Sequence, residues 1–140
     1  MLENRPIDIT AVQKAYHEIA AEHDLVLLEG AGGLLVPILR DYNFRDLAVD
    51  LKLEVILVAP NRLGVINHVL LSAESIANAG LRLALLILNE LDLEPTLAAQ
   101  TNPSILGELV DVPLYLSPLH NADFSQALKL LGLAQQGAKR

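Results

Sequence analysis

A parallel α/β sheet of about four strands with helices on both faces is the fold class this sequence predicts, on three observations. The apolar runs Leu25–Leu28, Val55–Ala59 and Leu83–Leu88 are hydrophobic at successive rather than alternate positions, the pattern of strands buried on both faces. Segments with helical spacing lie between them, and strands alternating with helices imply right-handed crossovers and parallel pairing. The chain is 140 residues long and 52% hydrophobic. That length fits a single domain spanning 1–140, able to bury roughly 70% of the surface its unfolded chain exposes.

Taken in order, Thr10 followed by Gln13 reads as a capping box, and Val12, Tyr16, Ile19 and Ala20 then recur at helical spacing to about His23. Asp24 to Glu29 is the first strand, ended by the glycine loop 30–33. Asn43 caps a short helix to about Lys52, and Glu54 to Ala59 is a second strand stopped by Pro60. After the loop Asn61–Gly64, a helix runs from Val65 to Ala79, with Gly80 at the left-handed position that closes it. Leu83 to Leu88 is the third strand, ending at Asn89. Asn102-Pro103 reads as an N-cap with proline in the first helical position, opening a helix to about Leu109. Pro113 to Leu116 is a short fourth strand, Asp123 to about Leu133 the last helix, and Gln135 to Arg140 a frayed tail.

Composition excludes several functions. No apolar run approaches the roughly 18–20 residues that cross a bilayer, and residues 1–10 lack the basic-then-apolar pattern of a secretory signal, so cytoplasm is the expected compartment. The chain has no cysteine, hence no disulfide framework and no thiolate metal site. A net charge of −7, with only ten scattered Lys and Arg, argues against nucleic acid or an anionic membrane as partner.

A carboxylate and a glycine-rich loop, Glu29-Gly30-Ala31-Gly32-Gly33, at the carboxyl end of a strand stand where α/β proteins keep their chemistry. The loop is not a dinucleotide fingerprint, because the third glycine is missing, nor a P-loop, because none of Lys14, Lys52, Lys129 and Lys139 follows a glycine. Glu29 has two readings: a magnesium ligand beside phosphates, or a strand-end carboxylate that caps the loop by accepting backbone N–H bonds. Asn89 can read a ligand edge or close a turn. The segment from Leu63 to His68 opens a helix whose N–H groups could meet an anion, although ordinary helices also begin this way. The four histidines show no ligand spacing, and no G-x-S-x-G nucleophile elbow is present.

The stretches DLVLLEGAGGLLVPI (Asp24 to Ile38) and VILVAPNRLGVINHVLLSAESIANAGL (Val55 to Leu81), followed by Ile87-Leu88-Asn89, together resemble dethiobiotin synthetase, the ATP-dependent ring-closing enzyme of biotin synthesis. The resemblance extends over nearly the whole chain and implies a P-loop NTPase-like fold. Set against family members, the sequence opens at the helix before the glycine loop. Roughly the first 90 residues of a typical member, with its P-loop Lys and Thr, a second essential Lys and Ser, and a metal-binding Asp, have no counterpart here.

The resemblance also implies site residues. Glu29 would bind Mg2+, and Gly30, Ala31, Gly32, Gly33 and Leu34 would line the substrate, a diamine of the pelargonic acid series. Leu63, Gly64 and Asn67 would reach the substrate carboxylate across a two-fold homodimer. Asn89 and the Pro118-Leu119 backbone would hold the adenine of ATP, while His120-Asn121 departs from the family's usual residues at that point. The expected protein is a truncated homologue, inactive alone, that forms a homodimer or joins a separate P-loop-bearing chain. The alternative is a non-catalytic dimeric binding or regulatory module that takes a carboxylate metabolite or nucleotide.

The resemblance has a consequence for folding as well. In the related architecture the P-loop strand lies between the strands that correspond to Leu25–Glu29 and Val55–Ala59. Its absence predicts that these two strands pair directly, that a partner chain fills the slot, or that a dimer interface covers it, because unpaired backbone groups are costly.

Overall fold

The computed structural model describes residues 7–133, so the tail expected from Gln135 lies outside the described residues. The chain divides into two compact units, Met1–Lys52 and Leu53–Arg140.

In the first unit, α1 (Ile9–Glu22) is capped by Asp8, whose carboxylate accepts the Ala11 N–H at 3.1 Å. The expected cap, Thr10, lies inside the helix instead. Either residue could have begun it, and the carboxylate two positions earlier satisfies the first free N–H groups. Ile9, Val12, Tyr16 and Ala20 make up the half-buried stripe, while Ile19 falls outside it. A short antiparallel ribbon, β1 (Pro37–Leu39) and β2 (Tyr42–Asn43), leads into α2 (Phe44–Asp50). Asn43 caps α2 as expected, in a full capping box: its side chain accepts the Asp46 N–H at 3.1 Å, and Asp46 accepts the Asn43 N–H at 2.9 Å. Asp50 then ties three elements together by accepting from Tyr42 Oη at 2.7 Å and from Gln13 Nε2 at 3.0 Å. Burial, reinforced by the Asp50 carboxylate, pushes the Tyr42 hydroxyl up to about 12.

The expected first strand does not form. Residues 25–30 belong to no ladder, and Leu25, Leu27 and Leu28 are 50%, 73% and 39% exposed. Of the three arrangements expected around the missing P-loop strand, direct pairing of Leu25–Glu29 with Val55–Ala59 is absent from the ladders, and among the described residues the main sheet has three strands rather than four. Hydrophobicity marks which residues would be covered, but a strand exists only through backbone partners.

The second unit is a parallel sheet in the order β3 (Val55–Pro60), β4 (Leu83–Asn89), β5 (Leu114–Ser117). Alternate side chains of the central strand serve opposite faces. Leu86 and Leu88 pack with Val65 and Val69 of α3 (Val65–Asn78) and Leu106 of α4 (Leu97–Leu109). Leu85 and Tyr115 pack with Ala127 of α5 (Ser125–Leu130) on the other face. Helices therefore cover both sides, as a doubly apolar strand requires, and each fully buried leucine contributes about 1.5–3 kcal/mol. The close of α3 is a Schellman motif around Gly80 (φ +71), with Leu81 N–H donating to Ile76 O and Gly80 N–H to Ala77 O.

The fourth helix departs from the expected start. It begins after Thr96, whose hydroxyl accepts the Ala99 N–H at 3.3 Å, and it carries Pro103 in its interior. An interior proline removes the N–H that would bond the carbonyl four residues back. Here that carbonyl belongs to Ala99, and the side-chain amide of Asn61 donates to it at 2.8 Å. Asn102, with Ala99 and Leu106, lies on the buried stripe of the helix and caps nothing.

Candidate functional site

The functional residues expected from the sequence fall into both units. In the first, Phe44 sits so close to Gly30 that an added Cβ would meet its ring at 3.1 Å. Gly32 (φ +87) and Gly33 (φ +133) adopt backbone that side chains disfavour. The turn closes with Val36 N–H donating to Gly33 O at 3.1 Å, and Leu34 O accepts the Arg45 N–H at 2.9 Å. Loop carbonyls thus use N–H groups from the first turn of α2. The N–H groups of residues 30 to 33 donate to no protein acceptor among the described residues.

Glu29 is exposed and has no hydrogen bond or ion pair among the described residues. The reading in which it caps the glycine loop is therefore not realised. No group of three or more His, Asp or Glu gathers to hold a metal among the described residues. Glu29 could accordingly give a hard cation one carboxylate, with the remaining oxygens coming from water or phosphate.

In the second unit, parallel register brings the carboxyl ends of the strands together: Pro60 stands opposite Asn89, and Asn89 opposite Ser117. The loops beyond them are joined by a buried amide network that the sequence reading did not single out. Asn61, only 3% exposed, donates its backbone N–H to Asn89 O at 2.8 Å. Its side-chain nitrogen donates to Glu90 Oε1 and to Ala99 O, each at 2.8 Å. Its side-chain oxygen accepts from Asn102 Nδ2 at 3.0 Å, and Asn102 also donates to Arg62 O at 3.1 Å. Every polar atom of the Asn61 amide is used, as burial demands. An available signal was the polar Asn102 in an otherwise apolar helical stripe.

Beside this network lies an open cleft of about 350 Å³, lined by Glu90, Asp92, Leu93, Pro95, Leu116, Pro118 and Leu119. Of the three residues expected to hold a base, Pro118 and Leu119 line it directly. Asn89 precedes the lining residue Glu90, and its side chain is half-buried and makes no hydrogen bond among the described residues. Pro118 O accepts the Asn121 N–H at 3.1 Å in a turn that holds His120 at φ +57. Asn121 also donates to Tyr115 Oη at 2.9 Å, which fixes the turn to the sheet. Leu63 is 86% exposed, and Gly64 (φ +92) and Asn67 are exposed at the start of α3. The downstream Asp123 carboxyl is held below its usual range by the Ser125 backbone N–H.

Mostly apolar walls with a few polar groups suit a heterocycle. No Lys or Arg lines the cleft, and its two carboxylates oppose phosphate, so the residues fit the base of a nucleotide and not its phosphate chain.

A parallel sheet with helices on both faces and a cleft beyond its carboxyl ends defines an α/β protein, consistent with a P-loop NTPase-like fold. More particularly, a family model described as an AAA domain matches residues 2–117, and the chain belongs to that family. It is homologous to dethiobiotin synthetases. Over 123 residues it is 39% identical to the ATP-dependent dethiobiotin synthetase BioD of Akkermansia muciniphila, covering 88% of this chain and 58% of that protein. The enzymes of the same name from Halalkalibacterium halodurans and Thermodesulfovibrio yellowstonii are each 38% identical, over 81% and 80% of this chain and 47% and 50% of their own lengths. The chain spans about half the length of the curated relatives it matches.

Proposed function

We propose that this chain supplies the substrate-side and adenine-side residues of a dethiobiotin synthetase-like site. The observation that carries this reading is the cleft walled by Pro118 and Leu119, with the unpartnered Asn89 amide beside its rim, in a chain homologous to ATP-dependent enzymes. The reaction would be carboxylation of a diamine by carbon dioxide, phosphorylation of the carbamate by ATP, and ring closure by the second amine with release of phosphate.

In this reading Glu29 contributes a carboxylate to Mg2+, and the free N–H groups of residues 30 to 33, with Leu34, line the diamine. Leu63, Gly64 and Asn67, exposed at the start of α3, serve the substrate carboxylate across a two-fold dimer. Mg2+ supplies charge neutralisation on the phosphates when bound. No described helix is long and apolar enough to cross a membrane.

Phosphoryl transfer is positioning plus charge neutralisation, and the 140 residues contain no Gly-Lys-Ser/Thr sequence to cradle the phosphates. The chain alone should therefore give no ring product from Mg-ATP, bicarbonate and the diamine, while co-expression with a P-loop-bearing half should restore it. Turnover by the chain alone would overturn the division of labour. Failure of every P-loop half to restore turnover would favour a binding module instead.

A further inference from the structure

We propose that Glu90, held in place by Asn61, is the specificity-determining acceptor of the cleft, selecting a nucleobase that presents an exocyclic amino group. This deepens the nucleotide reading and rests on it.

Glu90 lines the cleft and is half-buried at the end of β4. Two bonds fix it. Its backbone N–H donates to Ser117 O at 2.9 Å, which sets the residue against β5, and its Oε1 accepts from Asn61 Nδ2 at 2.8 Å. Asn61 is itself immobilised by the Asn89, Ala99 and Asn102 bonds, so the carboxylate is aimed by a buried, fully used amide rather than by a mobile surface contact. An ionised carboxylate only accepts. With Oε1 committed to Asn61, Oε2 is the oxygen left to receive an N–H from whatever lies between the apolar walls. An exocyclic amine supplies that hydrogen, whereas a carbonyl at the same place would set lone pair against lone pair. Asp92 also lines the cleft, but it is exposed and makes no hydrogen bond among the described residues. Glu90 is therefore the carboxylate that the fold holds in a defined position. Asn61 acts through Glu90 and is a positioning residue.

The test uses the full 140-residue chain and two probes that differ by one amino group, adenosine and purine riboside, titrated by ligand-observed NMR. Wild type should prefer adenosine by roughly tenfold, the size of one hydrogen bond to a charged acceptor. Glu90→Ala should abolish the preference, so that the two probes bind alike. Asn61→Asp keeps the acceptor for Asn102 but loses both side-chain donors, and should shrink the preference without weakening purine riboside. Should the buried charge of Asn61→Asp prevent folding, Glu90→Gln keeps the inference testable: with its one oxygen committed to Asn61 Nδ2, the glutamine presents an amide N–H instead of an acceptor, and the preference for adenosine should be lost. Equal binding of the two probes to wild type overturns the inference and leaves the nucleotide reading standing. Binding of neither probe overturns both.

Discussion

Two leucine-rich runs of similar composition meet opposite fates in this molecule. In the second unit Leu85, Leu86 and Leu88 are fully buried in β4, a strand that has a neighbour on each side and helices over both faces. In the first unit Leu25, Leu27 and Leu28 belong to no ladder among the described residues and are 39–73% exposed. The contrast shows that an apolar run becomes a strand only where neighbouring backbone accepts its hydrogen bonds. The polar residues divide the same way. Asn61 uses every polar atom of its side chain in a buried network, whereas Glu29 has no protein partner among the described residues.

The largest difference between the two units is expected at the leucines. Leu88→Ala should destabilise the chain by about 3–5 kcal/mol in urea unfolding, since a fully buried leucine loses both its transfer energy and its packing. Leu27→Ala, at a position 73% exposed, should change stability by no more than about 0.5 kcal/mol. Equal costs would show that the first run is covered in solution.

Next in size is the amide network. Asn61→Ala should cost about 2–3 kcal/mol, because it strands buried acceptors. Pro103→Ala restores the helical N–H to Ala99 O, so the cost of Asn61→Ala should fall by about 1 kcal/mol in the Pro103→Ala background. A double-mutant cycle with no coupling would contradict the replacement of the proline's missing donor by Asn61.

A smaller effect sits in the first unit. Tyr42 titrates at about 12 when folded against 10.0 for the unperturbed side chain, so the unfolded chain loses this proton first. The stability it contributes is fully present below pH 10 and is lost as pH rises through 12. Tyr42→Phe should remove that alkaline decline in a pH series of unfolding curves. Smallest of all, Glu29→Gln should leave stability within about 0.5 kcal/mol, consistent with an exposed side chain that holds nothing in place. In the complemented enzyme it should nevertheless raise the Mg2+ concentration needed for half-maximal activity.

Much of the second unit was legible because its signals are local or doubly determined. The β3 and β4 runs, Gly80 at the close of α3 and Asn43 at the head of α2 each carry the residue type their geometry needs. The misread segments depend on distant partners. Pro103 looks like a helix start until Asn61, far away in sequence, is seen to replace its missing donor. Leu25–Glu29 looks like a strand because composition cannot reveal whether a neighbouring backbone is present. In the candidate cleft, Pro118 and Leu119 were named from the family resemblance, and both line it. Glu90 and Asn61 were not, because their pairing spans 29 residues and leaves no spacing signature.

The most direct test of the account is to map adenosine binding residue by residue, from backbone amide shifts of the 140-residue chain. Shifts should concentrate at residues 89–95 and 116–121, around the cleft walls and Glu90. Shifts confined to other parts of the chain, or none at saturating adenosine, would contradict it.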